Sequence, residues 1–233
     1  MKVLVIIPAY NEAENIVNTV NELTSECPDV DYIIVNDCSQ DNTKQICESH
    51  GFNYISLPIN LGIGGGIQTG YKYAVEYGYD VAIQFDGDGQ HNAKYISSLV
   101  EPIEKGEASL VIGSRFIDKE GFQTSFMRRM GIGLLGFALR ICGGVKITDA
   151  TSGFRAVSKD LIEFFAKNYA QDYPEPESII AARLSGFSIK EVPVVMNERT
   201  AGVSSINPLK SVYYMIKVTL AILMYRIVGN RRR

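Results

Sequence analysis

Val81-Ala82-Ile83-Gln84-Phe85-Asp86-Gly87-Asp88-Gly89-Gln90 joins an apolar run to two carboxylates one residue apart. The run reads as a buried strand that ends abruptly, and the glycines beside the acids let the backbone turn tightly there. Two carboxylates at one strand end repel each other. A hard divalent cation removes that repulsion, and Mg²⁺ or Mn²⁺ commonly bridges a few carboxylates to substrate phosphates. A plain polar turn rich in Asp and Gly is the competing reading of these ten residues.

Outward from this run, the first half of the chain alternates strand and helix signals. Short apolar runs lie at Val3–Ile7, Tyr32–Val35, Tyr54–Leu57, Val81–Phe85 and Leu110–Ile112. Between them, Glu12–Glu26, Asn42–Ser49, Gly66–Tyr77 and Ala93–Lys105 have helical character. Near-continuous apolar strands separated by helices predict an α/β fold: one Rossmann-like, mostly parallel sheet covered on both faces. Ligands of such sheets bind outside the carboxyl ends of the strands. Pro8-Ala9-Tyr10-Asn11-Glu12, Asn36-Asp37-Cys38-Ser39 and Asp86-Gly87-Asp88 all fall at such ends, so they are expected to converge on one crevice. The second half is less regular. Ser158–Asn168 and Glu175–Gly186 read as helices, Ile189–Met196 as an edge strand interrupted by Pro193, and Pro208–Val228 as a final helix with Pro in its first turn.

The 233 residues form no evident repeat or linker, and their 46% hydrophobic and 21% charged content is that of an ordinary globular domain. The expected division is one domain over residues 1–206 with a C-terminal helix over residues 207–233. The net charge of −3 is unevenly placed: from Arg199 onward there are seven cations and no acid, which leaves residues 1–198 at −10. Such a tail suits an anionic partner, either a membrane surface or phosphates, or is simply a solvated helix. No nucleic-acid partner is expected. Cys27, Cys38, Cys47 and Cys142 have no CxxC spacing and read as reduced thiols, and Met1–Ile7 is too short for a signal-peptide core; both point to the cytoplasm.

Several other patterns bear on the chemistry. Gly131-Ile132-Gly133-Leu134-Leu135-Gly136 fits GxGxxG literally, but it follows no strand and reads as close helix packing. Gly62-Ile63-Gly64-Gly65-Gly66 lacks the Lys-Ser/Thr of a phosphate-binding P-loop. It lets a loop pass near the site or opens the next helix. His50 is expected at a helix end. His91 either assists at the metal or caps its loop. Asp149 and Arg155, in Thr148-Asp149-Ala150-Thr151-Ser152-Gly153-Phe154-Arg155, are expected to pair or to serve the acceptor side. Tyr173-Pro174-Glu175-Pro176-Glu177 opens a helix with two acids. They favour a helix N-terminus in any case, while prolines fix the backbone as a general base requires.

Taken together, Ile7-Pro8-Ala9-Tyr10-Asn11-Glu12, Val35-Asn36-Asp37-Cys38-Ser39-Gln40-Asp41, Asp86-Gly87-Asp88-Gly89-Gln90, Gly113-Ser114-Arg115 and Ser152-Gly153-Phe154-Arg155 occur in an order that resembles family 2 glycosyltransferases of the GT-A fold. The resemblance is to the dolichyl/polyprenyl-phosphate mannose synthase-like branch and covers residues 3–206. It implies inverting, metal-dependent transfer of a hexose or N-acetylhexosamine from a UDP- or GDP-sugar. The implied acceptor is a polyprenyl phosphate, another lipid-linked acceptor or a polysaccharide. By the family's motifs, Pro8, Tyr10, Glu12, Val35, Asp37, Asp86, Gly87, Arg115 and Arg199 are the nucleotide-donor contacts, and Asp86, Asp88 and Gln90 hold Mn²⁺ or Mg²⁺. Counting back from Arg183 places Glu177 where many members carry their catalytic acid, with Glu175 as the near alternative. Two departures stand out: Asn36 replaces an acid, and Ser205 replaces a Lys six residues after Arg199.

Two other classes remain in view. A sugar-1-phosphate nucleotidylyltransferase wants a Gly-rich, basic loop after its first strand, and Pro8–Glu12 is neither. A catalytically silent nucleotide-sugar-binding membrane module has no need of both Asp86 and Asp88. The final helix is interrupted by Lys217 and Arg226, so it falls short of the about 20 apolar residues of a span. It is expected to be amphipathic, lying on the cytoplasmic face of a membrane or packing in a homo-oligomer.

Overall fold

A computed structural model describes residues 1–118, 120, 126–197 and 208–230. Arg199, Ser205, the expected boundary at residues 206–207 and the three terminal arginines lie outside the described residues.

Seven strands form one sheet: β1 (Val3–Ala9), β2 (Asp31–Asn36), β3 (Tyr54–Ser56), β4 (Val81–Gln84), β5 (Leu110–Ser114), β6 (Arg155–Ser158) and β7 (Ile189–Pro193). Their spatial order is β3-β2-β1-β4-β6-β5-β7. All neighbours are parallel except β6, which runs antiparallel to both β4 and β5. The sequence reading missed β6. Only four residues long, it begins with a fully buried arginine, which breaks the apolar pattern that marks the other strands. Pro193 closes the edge strand β7, where a missing ladder N–H is tolerated.

Alternate side chains of each strand leave by opposite faces. Leu4 and Ile6 of β1 enter one core and Val5 and Ile7 the other. The first core is covered by α3 (Gly62–Glu76), α5 (Phe126–Gly143), α6 (Lys159–Lys167), α7 (Pro174–Leu184) and α8 (Pro208–Asn230). The second lies under α1 (Ile16–Glu26), α2 (Thr43–Ser49) and α4 (Ile96–Glu104).

α3 starts at Gly62, four residues before the expected Gly66. The glycines permit a close crossing: a Cβ on Gly64 would stand 2.1 Å from the Ala170 carbonyl oxygen, and one on Gly70 would stand 2.3 Å from Ile6. The GxGxxG stretch lies inside α5, as the packing reading expects. A Cβ at Gly136 would stand 2.7 Å from the Ile147 carbonyl oxygen, and one at Gly131 would meet Met215 of α8. α8 buries Val218 and Ile222 in the first core. Its outer face is also apolar, exposing Ile216, Leu220, Leu223 and Ile227. Among the described residues, no helix is long and apolar enough to cross a membrane.

Candidate active site

From β1 the chain winds outward to β2 and β3 on one side, and from β4 onward it builds the other side. The order therefore reverses between β1 and β4, and a crevice opens at their carboxyl ends. Pro8–Glu12 and Asp86–Asp88 flank that point.

Side-chain and backbone bonds tie the three expected strand ends together. The Asn11 N–H donates to Ser39 Oγ (3.0 Å), and Gln40 N–H donates to Asn11 Oδ1 (2.8 Å). Glu12 N–H donates to Thr43 Oγ1 (2.9 Å), and Ala13 N–H donates to Asp41 Oδ2 (3.1 Å). Asn11 and Cys38 both sit at φ 58°, a left-handed conformation costly for residues with a side chain, so these two turns are held under strain. Asp37 is buried. Its carboxylate accepts from Leu61 N–H (2.7 Å), and its own N–H donates to the Ala9 carbonyl (2.9 Å). Asn36 uses both ends of its amide within the loop, on Ser56 Oγ (2.9 Å) and Ser39 N–H (3.2 Å). Gly87 is packed so that a Cβ there would lie 3.2 Å from the Pro8 carbonyl oxygen and 3.6 Å from Glu12 Cγ. Thr19 Oγ1 donates to the Gly87 carbonyl (3.1 Å). Of the expected donor contacts, Tyr10 is exposed at the mouth, Glu12 is half-buried, and Pro8 is buried beside Gly87. Val35 is wholly buried in the first core beneath Asp37.

Asp86 is held on both sides. Gln84 Nε2 donates to Oδ1 (3.2 Å), and His91 Nε2 lies 3.5 Å from Oδ2. Burial holds the His91 ring below its ordinary pKa, against the opposing pull of Asp86 and Asp88. Asp88 is buried and accepts from Gln90 N–H (3.0 Å). The Gln90 carbonyl accepts from Asn197 N–H (2.9 Å), which ties the stretch after β7 to the run that carries the paired acids. Gly153 passes over them: a Cβ there would stand 2.9 Å from both Asp86 Oδ2 and Gln84 Nε2.

A divalent cation suits this donor set. Two carboxylates and an amide oxygen are hard ligands, and Gln84 Oε1, buried beside Asp86, has no partner. Among the described residues no group of three or more His, Cys, Asp or Glu side chains converges. An ion here therefore needs phosphate oxygens or water to complete its shell, the usual habit of Mg²⁺.

The two candidate acids of α7 part company. Glu175 lies within electrostatic reach of Arg155, Asp86 and Gln84; burial raises its pKa, against the opposing pull of Arg155. Glu177 faces α8 and lies near Lys217, Asp172 and Tyr225; burial raises its pKa as well, with Lys217 opposing. The buried guanidinium of Arg155 fixes the α7 end by donating to the Glu175 carbonyl (3.0 Å), Ser178 Oγ (2.8 Å) and the Ser152 carbonyl.

The expected Asp149–Arg155 pair does not form. Asp149 meets Arg115 instead, accepting from Nε (2.7 Å) and Nη2 (2.8 Å), because the loop after α5 turns its carboxylate toward the end of β5. Glu191 of β7 holds that loop, accepting from Thr148 N–H (2.8 Å), Thr148 Oγ1 (2.9 Å) and Asp149 N–H (2.9 Å). Sequence reading passed over Glu191 and Gln84. A polar residue inside the apolar run before Asp86 was the available sign for Gln84. His50 caps α2 at its exposed end, its Nδ1 3.0 Å from the Ile46 carbonyl oxygen.

Residues 4–165 match the family model for Glycosyl transferase family 2. A UDP-N-acetylglucosamine–dolichyl-phosphate N-acetylglucosaminyltransferase of Methanococcus voltae is 34% identical over 212 residues, covering 82% of this chain and 84% of that protein. An undecaprenyl-phosphate mannosyltransferase of Micrococcus luteus is 32% identical over 219 residues, covering 89% and 88%. Glucosyl-3-phosphoglycerate synthase from Mycobacterium tuberculosis, solved with Mn²⁺, UDP and phosphoglyceric acid, aligns with a TM-score of 0.72 at 19% identity over 97% of this chain and 78% of that one. At that identity the likeness is one of fold.

Proposed function

This chain belongs to glycosyl transferase family 2, and on that premise we propose that it transfers a hexose or N-acetylhexosamine, with inversion, from a UDP- or GDP-sugar to a polyprenyl phosphate. The observation that supports the reading is that Asp86 and Asp88 follow β4 at the β1–β4 switch point, with Glu175 in electrostatic reach of Asp86. The names of the relatives at 32–34% identity supply the acceptor class.

The nucleotide lies along Pro8–Glu12 and Asp37, with Tyr10 at the mouth, and its diphosphate runs past Gly87. A Cβ at Gly87 would crowd the Pro8 carbonyl oxygen at 3.2 Å, so glycine keeps that passage open. Asp86, Asp88 and Gln90 would hold Mn²⁺ or Mg²⁺, which would supply charge neutralisation for the departing diphosphate. Asp149 fixes the Arg115 guanidinium beside the same place, and Arg199 is assigned to the diphosphate from the family motif. The acceptor oxygen forms its bond to the anomeric carbon as the bond to the diphosphate oxygen breaks on the opposite side. A phosphate oxygen is already anionic, so Glu175 then serves to orient; a hydroxyl acceptor would hand its proton to Glu175.

The acceptor side is assigned to α5 and α8. α5 exposes Met130, Leu134, Phe137 and Ile141, spaced three or four residues apart on one face, beside the outer apolar face of α8. Neither helix contains an acid, while Arg129, Arg140 and Arg226 are exposed on them. A symmetric dimer through this face would set like charges against like. An anionic bilayer complements them. An open cleft lined by Phe116, Arg129, Ile132, Gly133 and Thr148 leads inward from this face. The Arg129 guanidinium in this cleft lies 5.5 Å from the Phe116 ring, a fitting place for a lipid phosphate.

The test is transfer of labelled sugar from UDP- and GDP-sugars to polyprenyl phosphate in vesicles. Label in the lipid fraction that needs Mn²⁺ or Mg²⁺ and vanishes in Asp88→Ala is expected. Label retained by Asp88→Ala, or transfer without the metal, would overturn the reading.

A further inference from the structure

The segment Asp86–His91 is a loop closed at its base. β4 pairs with β6 and β1 only as far as Gln84, and Phe85 N–H still donates to the Ile6 carbonyl (3.0 Å). Asp86 carries the first N–H beyond the sheet, and His91 Nδ1 accepts it at 2.9 Å. The imidazole is 3% exposed. It stacks on Phe154 at 4.7 Å and 14°, with the Phe85 ring edge-on at 5.6 Å.

This packing decides the tautomer. A backbone N–H can only donate, so Nδ1 must present its lone pair, and the proton of the neutral ring sits on Nε2. Nε2 lies 3.5 Å from Asp86 Oδ2, while Gln84, itself 1% exposed, donates to Oδ1. Each carboxylate oxygen thus faces a neutral N–H donor on a buried side chain. With the Nδ1 lone pair taken by the Asp86 N–H and the ring proton on Nε2, His91 has no lone pair left for a metal. Buried partners of this kind set the direction in which a ligand presents its lone pairs.

We propose that His91 is a positioning residue, which clasps the Asp86–His91 loop through Nδ1 and steers the Asp86 carboxylate toward the cation through the proton on Nε2. This rests on the reading that Asp86 and Asp88 hold a divalent ion. Phe154, in the loop that Arg155 pins to α7, supports the ring, so the clasp joins the metal run to the loop carrying Gly153.

Two measurements test it. Mn²⁺ alone is titrated into the wild-type protein, His91→Asn and His91→Gln, with free Mn²⁺ read by electron paramagnetic resonance. Asn keeps an acceptor near Nδ1 and loses the donor near Nε2; Gln reaches the Nε2 position. The expected result is Mn²⁺ affinity about 10–100-fold weaker in His91→Asn, with most of the loss recovered in His91→Gln. Equal affinity in wild type and His91→Asn would overturn the proposal alone. No Mn²⁺ binding by the wild type would overturn the metal reading and this proposal with it. The second measurement needs no variant to fold: long-range ¹H–¹⁵N spectra of the metal-free wild type are expected to show His91 protonated on Nε2 only. A proton on Nδ1 would overturn the clasp.

Discussion

Arg115 and Asp149 meet through two parallel hydrogen bonds with almost no contact with water. Removing one partner of such a pair strands the other charge, at a cost of about 3–5 kcal/mol. Asp149→Ala should therefore lower the unfolding free energy by about that much in urea titration, and a loss below about 1 kcal/mol would contradict the pairing. Asp41 makes a prediction in pH. Burial pushes its pKa up, but hydrogen bonds from Thr43 Oγ1, Thr43 N–H and Ala13 N–H outweigh that and hold it below the ordinary carboxylate value. Its stabilising effect is then present above the ordinary value and fades as pH falls through the depressed one. Asp41→Asn should melt earlier than wild type at pH 7, and the gap should close in acid; a gap that widens in acid would contradict the assignment. Glu175→Gln separates the two acceptor chemistries. Loss of a required general base costs about 10²–10⁴-fold in rate, so a phosphate acceptor predicts a smaller fall in kcat. The position of Asp86 and Asp88 just past β4 could be read from sequence because acids and glycines at the end of an apolar run declare themselves locally. The Arg115–Asp149 pair could not, since only the path of the loop after α5 decides whether Asp149 meets Arg115 or Arg155.

At the scale of elements, two glycines less than one turn apart in α5 predict opposite effects of the same change. A Cβ at Gly136 would stand 2.7 Å from a backbone oxygen, which cannot yield like a side-chain tip, whereas a Cβ at Gly133 meets nothing within 4 Å. Gly136→Ala should destabilise by about 1–3 kcal/mol through overpacking. Gly133→Ala should stabilise by about 0.5–1 kcal/mol through helix propensity. Thermal melts of the two proteins shifting in the same direction would contradict the placement of α5. Strands β1, β2 and β4 were legible as runs of apolar residues because they are covered on both faces. β6 was not, because its first residue is the buried guanidinium of Arg155, and α3 began early because its glycines serve a close crossing with residues 170–171 rather than the end of a loop.

Across the whole molecule, charge and shape divide the same way. The first 198 residues carry −10 and hold the acids at the β1–β4 crevice, while the +7 remainder includes α8, whose outer face is apolar beside that of α5. If that face rests on an anionic bilayer, the protein should float with vesicles containing acidic lipid. Leu134→Glu combined with Leu220→Glu should abolish flotation without lowering the melting temperature, as both side chains are exposed; unchanged flotation would remove the face from the account. The general architecture was readable from the strand–helix alternation, but this face was only half visible, because exposure is a property of packing rather than of sequence. The central claim is that the ends of β1, β2 and β4 form one metal-dependent site for a nucleoside diphosphate. Calorimetric titration of UDP and GDP into wild type and Asp88→Ala, each with and without Mn²⁺, tests it most directly. The account predicts binding by the wild type that requires Mn²⁺ and is lost in Asp88→Ala; binding that is the same without Mn²⁺ and the same in Asp88→Ala would contradict it.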